Sequence, residues 1–129
     1  MKTTDIGRLG EDAAVKFLKK QKFKILERNI HISHNEIDII AYSRKHKLIV
    51  FVEVKARSVD ADLYSPFGTP ASAVTKEKQV RTTTAAKIYL RHNTKYFNVQ
   101  PRFDVIEIYF DKSDMKILKI NHIENAFGA

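Results

Sequence analysis

Several residue types that often carry a fold or a function are missing or scarce in this chain. Its 129 residues include no cysteine and only 4 glycines and 3 prolines. The lack of cysteine excludes disulfide bonds and thiolate metal sites. The low glycine and proline content argues against collagen-like or low-complexity structure. The longest apolar run, Leu48 to Val52, is far shorter than the roughly 20 residues that cross a bilayer.

The remaining composition is that of a globular protein. Hydrophobic residues make up 43% of the chain and charged residues 29%, which favours a packed core over disorder. A length of 129 residues fits one domain, 1–129, and is too short for two ordinary ones. The first residues, Met1 to Asp5, lack the apolar core of a signal peptide, so a cytoplasmic location without membrane association is expected.

The charge is unevenly distributed. The formal net charge is +8, and residues 75–102 contain seven basic residues and one acid, Glu77. Such a concentration favours a polyanionic partner, because binding releases the counterions that are condensed on phosphates. The alternative is a solvated helix face that serves solubility alone.

The hydrophobic pattern predicts an α/β domain with the order α-β-β-β-α-β-β. Apolar residues at helical spacing predict one helix over residues 5–21 and a second from Lys76 to His92, the latter capped by Thr75. Residues of high β propensity predict five strands, from Phe23 to Ile30, Glu36 to Tyr42, Leu48 to Lys55, Arg102 to Phe110 and Met115 to Ile120. These elements pack most simply as one mixed sheet flanked by helices, with a core over about 5–121. Residues 57–74 are expected to form a flexible loop and residues 122–129 a loose tail or a short helical turn.

Charged side chains interrupt two of the predicted strands. Asp38 lies within an isoleucine-rich run, and Glu53 and Lys55 end the next strand. Side chains alternate along a strand, so Glu53 and Lys55 project to the same face, about 7 Å apart. An unpaired charge in such surroundings is costly, and Asp38 therefore needs compensation.

A hairpin between these two strands would bring the carboxylates together. With a four-residue loop, Arg44 to Lys47, Ser43 faces Leu48 and Asp38 faces Glu53. A slip of one residue would place the two acids on opposite faces. Facing carboxylates destabilise a sheet unless a cation lies between them, and oxygen ligands favour Mg²⁺ or Mn²⁺. The ordinary alternative is an ion pair between Glu53 and Lys55, with Asp38 capping a turn.

These residues resemble a known nuclease signature. Asp38 followed by Glu53-Val54-Lys55 looks like the PD-(D/E)xK pattern, although no proline precedes Asp38. A more extensive resemblance, to the largely uncharacterised YraN-like family, is carried by segments that occur in the same order: Gly7 to Ala14, Arg28-Asn29, Asn35 to Ala41, Phe51 to Arg57, Phe67-Gly68 and Arg102 to Val105. This family is related to archaeal Holliday-junction resolvases. Asn35 departs from it, because a glycine usually precedes Glu-Ile-Asp.

The resemblance implies a restriction-endonuclease-like fold and a set of site residues. The catalytic residues would be Glu11, Asp38, Glu53 and Lys55, and the metal ligands Asp38, Glu53 and the backbone carbonyl of Val54. Resolvase-like relatives act as symmetric dimers, so a homodimer is also expected. Taken by its helical position alone, Glu11 would be an ordinary solvated acid at the edge of the apolar stripe.

The favoured interpretation is a Mg²⁺- or Mn²⁺-dependent endonuclease that hydrolyses phosphodiester bonds in nucleic acid, DNA rather than RNA, by structure rather than sequence. Nucleic-acid contacts are expected from Arg57, Lys76, Lys78, Gln79, Arg81 and Lys87. The alternatives are a non-catalytic nucleic-acid-binding module that retains the fold and a protein-interaction role for the basic helix. A zinc site around His31 and His34 is disfavoured, because such sites need more ligands at defined spacings.

Overall fold

The computed structural model describes residues 3–61 and 74–128. It contains two long helices and five strands in the predicted order: α1 (Thr3–Lys20), β1 (Lys24–Ile32), β2 (Asn35–Ser43), β3 (Leu48–Val59), α2 (Lys76–His92), β4 (Gln100–Asp111) and β5 (Ile117–Phe127). A short 3₁₀ helix, Thr94–Tyr96, connects α2 to β4. The α/β class and the order of the elements are thus confirmed. Most of the predicted flexible loop, residues 62–73, lies outside the described residues.

The strands form one mixed sheet in the order β1-β2-β3-β4-β5. β1, β2 and β3 pair antiparallel, β3 and β4 pair parallel, and β5 returns antiparallel to β4. A parallel pair needs a crossover connection, and the segment that contains α2 provides it. β3 therefore lies at the centre of the sheet, as its apolar residues on both faces predict.

Each face of the sheet is covered by one helix. On one face, Ala14 and Leu18 of α1 pack with Val50, Val52 and Ile106. On the other face, Ala85 and Tyr89 of α2 pack with residues that include Ile40, Phe51 and Phe103. We call these the α1 face and the α2 face. The alternation of side chains along β3 decides which residues reach each face.

Two strands extend at least four residues beyond their predicted ends. β3 continues to Val59 instead of ending at Lys55, because residues 56–59 pair with residues 108–111 of β4. β5 continues to Phe127, so the expected loose tail or helical turn over residues 122–129 is wrong. Its register shifts between its pairs with Phe103 and Val105, and Asn125 there has a φ of 54°. Such a bulge breaks the alternation by which a strand is recognised in a sequence.

A buried charged network fixes this end of β5 to β4. The Asp104 carboxylate, whose side chain is 0% exposed, accepts hydrogen bonds from Arg102 Nε and Nη2, both at 2.8 Å. It also lies 2.7 Å from His122 Nε2 and accepts the Asn125 N–H at 3.0 Å. Burial alone would raise the pKa of Asp104, but the hydrogen bonds from His122, Arg102 and Asn125 outweigh it, so the pKa lies below 3.8.

This network should make stability depend on pH in acid. A carboxyl group whose pKa is lowered by folding stabilises the protein above its unfolded pKa, and that stability is lost as the pH falls through the folded pKa. We expect Asp104→Asn to lower the free energy of unfolding by roughly 3 kcal/mol at pH 7. The difference from the wild type should shrink as the pH falls below about 4. Urea unfolding at a series of pH values measures this difference.

The control is Asp12→Asn, which removes an exposed ion pair with Arg28 at 2.7 Å. Loss of such a surface pair should change stability by less than about 1 kcal/mol. An equal loss in both variants would show that the buried network contributes no more than a surface pair.

Helix α1 approaches β3 closely at Gly10. A Cβ atom built on Gly10 would collide with the Cβ of Ala56, and it would also lie 3.6 Å from the Ala56 Cα and 3.7 Å from Val54 Cγ1. Gly7, one turn earlier in the same helix, has nothing within 4 Å of the corresponding position. The contact between helix and strand therefore requires glycine at position 10 and not at position 7.

These two glycines make a matched pair for substitution. Gly10→Ala should lower the free energy of unfolding by about 1–3 kcal/mol through overpacking. Gly7→Ala should raise it by up to about 1 kcal/mol, because alanine favours helix. Adding Ala56→Gly to Gly10→Ala should recover part of the loss. Chemical denaturation of the three variants checks this, and equal effects of the two alanines would refute the close approach.

Candidate functional site

The β2–β3 hairpin has the register that the sequence predicts. Ser43 pairs with Leu48 across a loop of residues 44–47, and the pairing continues to Ile39 and Val52. The next position in this register would pair Asp38 with Glu53, and the regular ladder ends just before it. The even loop length is confirmed, and the two acids occupy the end of the paired segment.

At this point the side chain of Asp38, and not the backbone of β2, accepts a hydrogen bond from β3. Its Oδ2 accepts a hydrogen bond from the backbone N–H of Val54 at 2.8 Å. On the other side of β2, Arg28 pairs with Ile39 and Ile30 with Ile37, so Asn29 lies across from Asp38 with a φ of 51°. The sheet is thus irregular on both sides of Asp38, and the bond to Val54 holds its carboxylate against β3.

The surroundings of Asp38 disfavour its charged form. Burial is the largest cause and raises its pKa, the hydrogen bond from Val54 lowers it, and the nearby acids Glu11, Glu53 and Glu36 raise it again. The net result is a pKa of about 6 instead of 3.8. A carboxyl group perturbed in this way at a cavity wall is typical of a functional site.

Two cavities meet at Asp38. An open cavity of about 570 Å³ on the α1 face is lined by Glu11, Asp38 and Arg57 together with residues of α1 and β3. A small cavity of about 10 Å³ on the α2 face is lined by Asp38, Glu53 and Lys78 among others. A cavity of that size has room for one water molecule or ion. Glu11 and Glu53 therefore approach Asp38 from different cavities.

Lys55 lies on β3 two residues after Glu53, and alternation places both side chains on the α2 face. Its neighbour across the parallel ladder is Glu107 of β4. Glu107 is 3% exposed and accepts hydrogen bonds from Tyr109 Oη at 3.2 Å and Asn121 Nδ2 at 2.8 Å. This acid was not predicted from the sequence, although a single glutamate in the apolar run of residues 103–110 gives the same signal as Asp38.

The predicted nucleic-acid contacts on α2 separate into two groups. Lys76, Arg81 and Lys87 are exposed and available to a partner. Lys78 is half-buried, donates from Nζ to Asn35 Oδ1 at 3.2 Å and lines the small cavity. Gln79 donates to the Val74 carbonyl at 2.9 Å, so it stabilises the start of α2. Thr75 caps this helix as predicted, since its hydroxyl accepts the Lys78 N–H.

The residues at Asp38 suit one hard cation. Asp38 and Glu53 would supply oxygen ligands, and the nearby Glu53 raises the pKa of Asp38, a cost of charging Asp38 that a divalent cation would offset. Within residues 3–61 and 74–128, no group of three histidine, aspartate or glutamate side chains is arranged to hold a metal ion. A cation at Asp38 and Glu53 would thus take its other ligands from backbone carbonyls, water or substrate. His31 and His34 are exposed, and His31 lies 3.7 Å from Glu36.

The fold and the site define an α/β protein with a central mixed sheet, two carboxylates that line one small cavity at the end of a hairpin and a basic crossover helix. Among the described residues, no helix is long and apolar enough to span a membrane. Comparison with known proteins then gives the family. The chain belongs to Uncharacterised protein family UPF0102, whose sequence pattern matches residues 10–108.

Members of this family from several bacteria are similar over nearly the whole chain. A UPF0102 protein of Clostridium perfringens is 45% identical over 122 residues, which cover 95% of this chain and 93% of the relative. Relatives from Caldanaerobacter subterraneus and Dictyoglomus thermophilum are each 41% identical, over 95% and 98% of this chain and 93% and 100% of their own lengths. The expected membership of an uncharacterised family is confirmed.

The raised pKa of Asp38 predicts that its charge destabilises the metal-free fold. A carboxyl group whose folded pKa exceeds its unfolded pKa costs stability as the pH rises above the unfolded value, and the cost is complete above the folded value. Asp38→Asn should therefore raise the free energy of unfolding by about 1–3 kcal/mol at pH 7.5 in a chelator. The gain should disappear as the pH falls from about 6 towards 4. Denaturation across this range measures it, and a variant less stable than the wild type at pH 7.5 would contradict the prediction.

Proposed function

We propose that this protein is a Mg²⁺- or Mn²⁺-dependent endonuclease of the restriction-endonuclease-like superfamily that hydrolyses DNA according to its structure. The observation that carries the proposal is the end of the β2–β3 hairpin. There the Asp38 carboxylate is held by the Val54 N–H at 2.8 Å, one position beyond the last strand pair, and it lines the small cavity together with Glu53. Lys55 follows on the same face of β3. Two acids and a lysine in this arrangement match the residue types that the nuclease signature requires.

Asp38 and Glu53 would hold the cation, with the Val54 carbonyl as a third ligand. When bound, a divalent cation supplies a Lewis acid that polarises a phosphate oxygen and activates water for attack. The raised pKa of Asp38, about 6, means that cation and proton compete for the same oxygens. Metal affinity should accordingly fall as the pH drops through this value.

The other site residues would orient the metal ligand and water and stabilise negative charge on the phosphate. The bond from Val54 fixes the Asp38 carboxylate, which avoids reorganisation when substrate arrives. The ammonium of Lys55, which lies next to Glu107 across the ladder, would stabilise negative charge on the phosphate. Glu11 borders the open cavity from α1 and would orient water or a further cation there.

Exposed basic residues around this site suit a nucleic-acid backbone. Arg57 lines the open cavity, and Arg81 and Lys87 lie on the exposed side of α2. Lysine and arginine contacts to phosphates position a nucleic acid without reading its bases. This supports selection of substrate by shape, such as branched or single-stranded DNA.

The test is cleavage of labelled branched, single-stranded and duplex DNA with and without Mg²⁺. Asp38→Asn and Glu53→Gln should each lower the cleavage rate by about 100-fold or more, because each removes a carboxylate that would hold the cation. DNA binding measured in a chelator should persist in both. The matched control is Glu77→Gln, an exposed acid in the first turn of α2, which should cleave like the wild type. Equal cleavage by all four proteins would assign the activity to a contaminant.

A non-catalytic nucleic-acid-binding module is the second candidate. It is favoured by the absence, within the described ranges, of a group of three acidic or histidine ligands. Calorimetric titration with Mg²⁺ and Mn²⁺ separates the two functions. Binding that is lost in Asp38→Asn supports the endonuclease, whereas undetectable metal binding together with salt-sensitive DNA binding supports the module.

A further inference from the structure

A second open cavity lies at the other end of the β2–β3 hairpin, away from Asp38. It has a volume of about 420 Å³ and is lined by Lys22, Lys24, Tyr42, Arg44, Lys95 and Tyr96. We call it the basic cavity. Four of its six lining residues are cationic, and none is acidic. It therefore has the opposite electrostatic character to the cavities at Asp38.

Three segments of the chain bring these charges together: residues 22–24, the β2–β3 loop and the 3₁₀ helix after α2. Lys22 lies in the tight turn after α1, with a φ of 72° that directs the chain back into β1. Lys24 is the first residue of β1 and pairs with Tyr42 of β2. Arg44 belongs to the hairpin loop, and Lys95 to the 3₁₀ helix that follows α2. The cluster is thus a product of the fold and not of a local run of basic residues.

Two tyrosines that line the cavity pack against each other. The rings of Tyr42 and Tyr96 pack with their centroids 5.1 Å apart, and Tyr96 is 7% exposed. Lys95 Nζ lies 5.2 Å from the centre of the Tyr96 ring, a cation–π contact that positions this ammonium. The basic residues therefore surround a rigid apolar base.

The charges of the basic cavity are accessible. Lys22, Lys24, Arg44 and Lys95 are all exposed. Within residues 5–61 and 74–128, none of these four side chains belongs to an ion pair. Four like charges around one cavity repel one another and attract a polyanion, whose bound counterions are released on association.

The basic cavity and the Asp38 site are joined by helix α2. Lys78 of α2 lines the small cavity beside Asp38, and Lys95 follows the other end of this helix. Exposed basic residues continue along the helix between them, at Arg81, Lys87 and Arg91. Along β2, Asp38 and Tyr42 are separated by about 13 Å at roughly 3.3 Å per residue. This equals about four base pairs of duplex at 3.4 Å each.

We propose that the basic cavity binds the phosphodiester backbone of a nucleic acid about four or more nucleotides from the bond that is cut at Asp38. The distance rests on the proposed endonuclease function, whereas the binding of phosphates by the cavity does not. Lys22, Lys24, Arg44 and Lys95 contact phosphate oxygens, and the track along α2 guides the backbone between the two sites. The contacts are independent of base sequence.

The test compares two triple variants with the same loss of charge. One is Lys24→Gln/Arg44→Gln/Lys95→Gln, and the control is Lys16→Gln/Lys112→Gln/Lys116→Gln, three exposed lysines elsewhere. Binding of a fluorescent 24-base-pair duplex is measured by anisotropy at several salt concentrations in a chelator. The cavity variant should reduce the slope of log affinity against log salt by about 2.7, since each lost phosphate contact contributes about 0.9. The control should reduce it by less than about 1.

Equal slopes in the two variants would overturn the proposal. Because the chelator prevents cleavage, loss of binding in the cavity variant supports the proposal even if no DNA is ever cut. Metal-dependent cleavage with equal slopes would refute the cavity and leave the endonuclease intact. The labelled duplex can also be competed with inorganic phosphate, adenosine monophosphate or unlabelled duplex. If the small compounds compete as strongly as the duplex, the proposal is overturned, because the ligand would then be a small phosphate compound.

A measurement on the wild type makes the test independent of how the variants fold. Acetylation of lysines, followed by mass spectrometry, reports which ammonium groups the bound duplex covers. Lys22, Lys24 and Lys95 should be protected several-fold by DNA, whereas Lys16 and Lys112 should react at the same rate with and without it. Unchanged reactivity of the three cavity lysines at saturating DNA would refute the proposal.

Discussion

The parallel pairing of β3 with β4 is the constraint on which the rest of the structure depends. Twelve consecutive residue pairs, from Leu48–Gln100 to Val59–Asp111, join these strands. A parallel pair requires a crossover on one face of the sheet, so α2 covers that face and α1 is left to cover the other. Burial on both faces gives β3 its apolar character. Glu53 and Lys55, near the centre of β3, are therefore held in a rigid frame.

Within that frame, Asp38 lies at a point where regular structure stops. Its carboxylate accepts a backbone N–H of β3 while burial and three neighbouring acids oppose its charge. A sheet that only had to be stable would have an apolar residue here. Retention of an unfavourable charge in a central hairpin is typical of sites at which stability is exchanged for function. The buried Asp104 shows the contrast, since hydrogen bonds from Arg102, His122 and Asn125 favour its charge.

Much of this architecture could be predicted from local patterns. The bounds of α2 and its Thr75 cap follow from a helix-start signal, and the register of the hairpin follows from the length of its loop. The end of β3 and the whole second half of β5 could not be predicted, because both depend on pairing with a strand distant in the sequence. For the same reason the sequence did not indicate the pairing of Lys55 with Glu107 or the basic cavity. Contacts between residues far apart in the sequence leave no pattern in any one short stretch of it.

The close approach of Gly10 to Ala56 has a mechanical consequence for the site. Gly10 contributes no side chain to this contact, so the backbone of α1 lies directly against the methyl group of Ala56 on β3. Glu11 is the next residue of the helix, and Lys55 is the residue before Ala56. The two residues are thus attached to the two sides of one close contact. Because so little space separates the two backbones, a displacement of this part of β3 would move α1, and Glu11 with it.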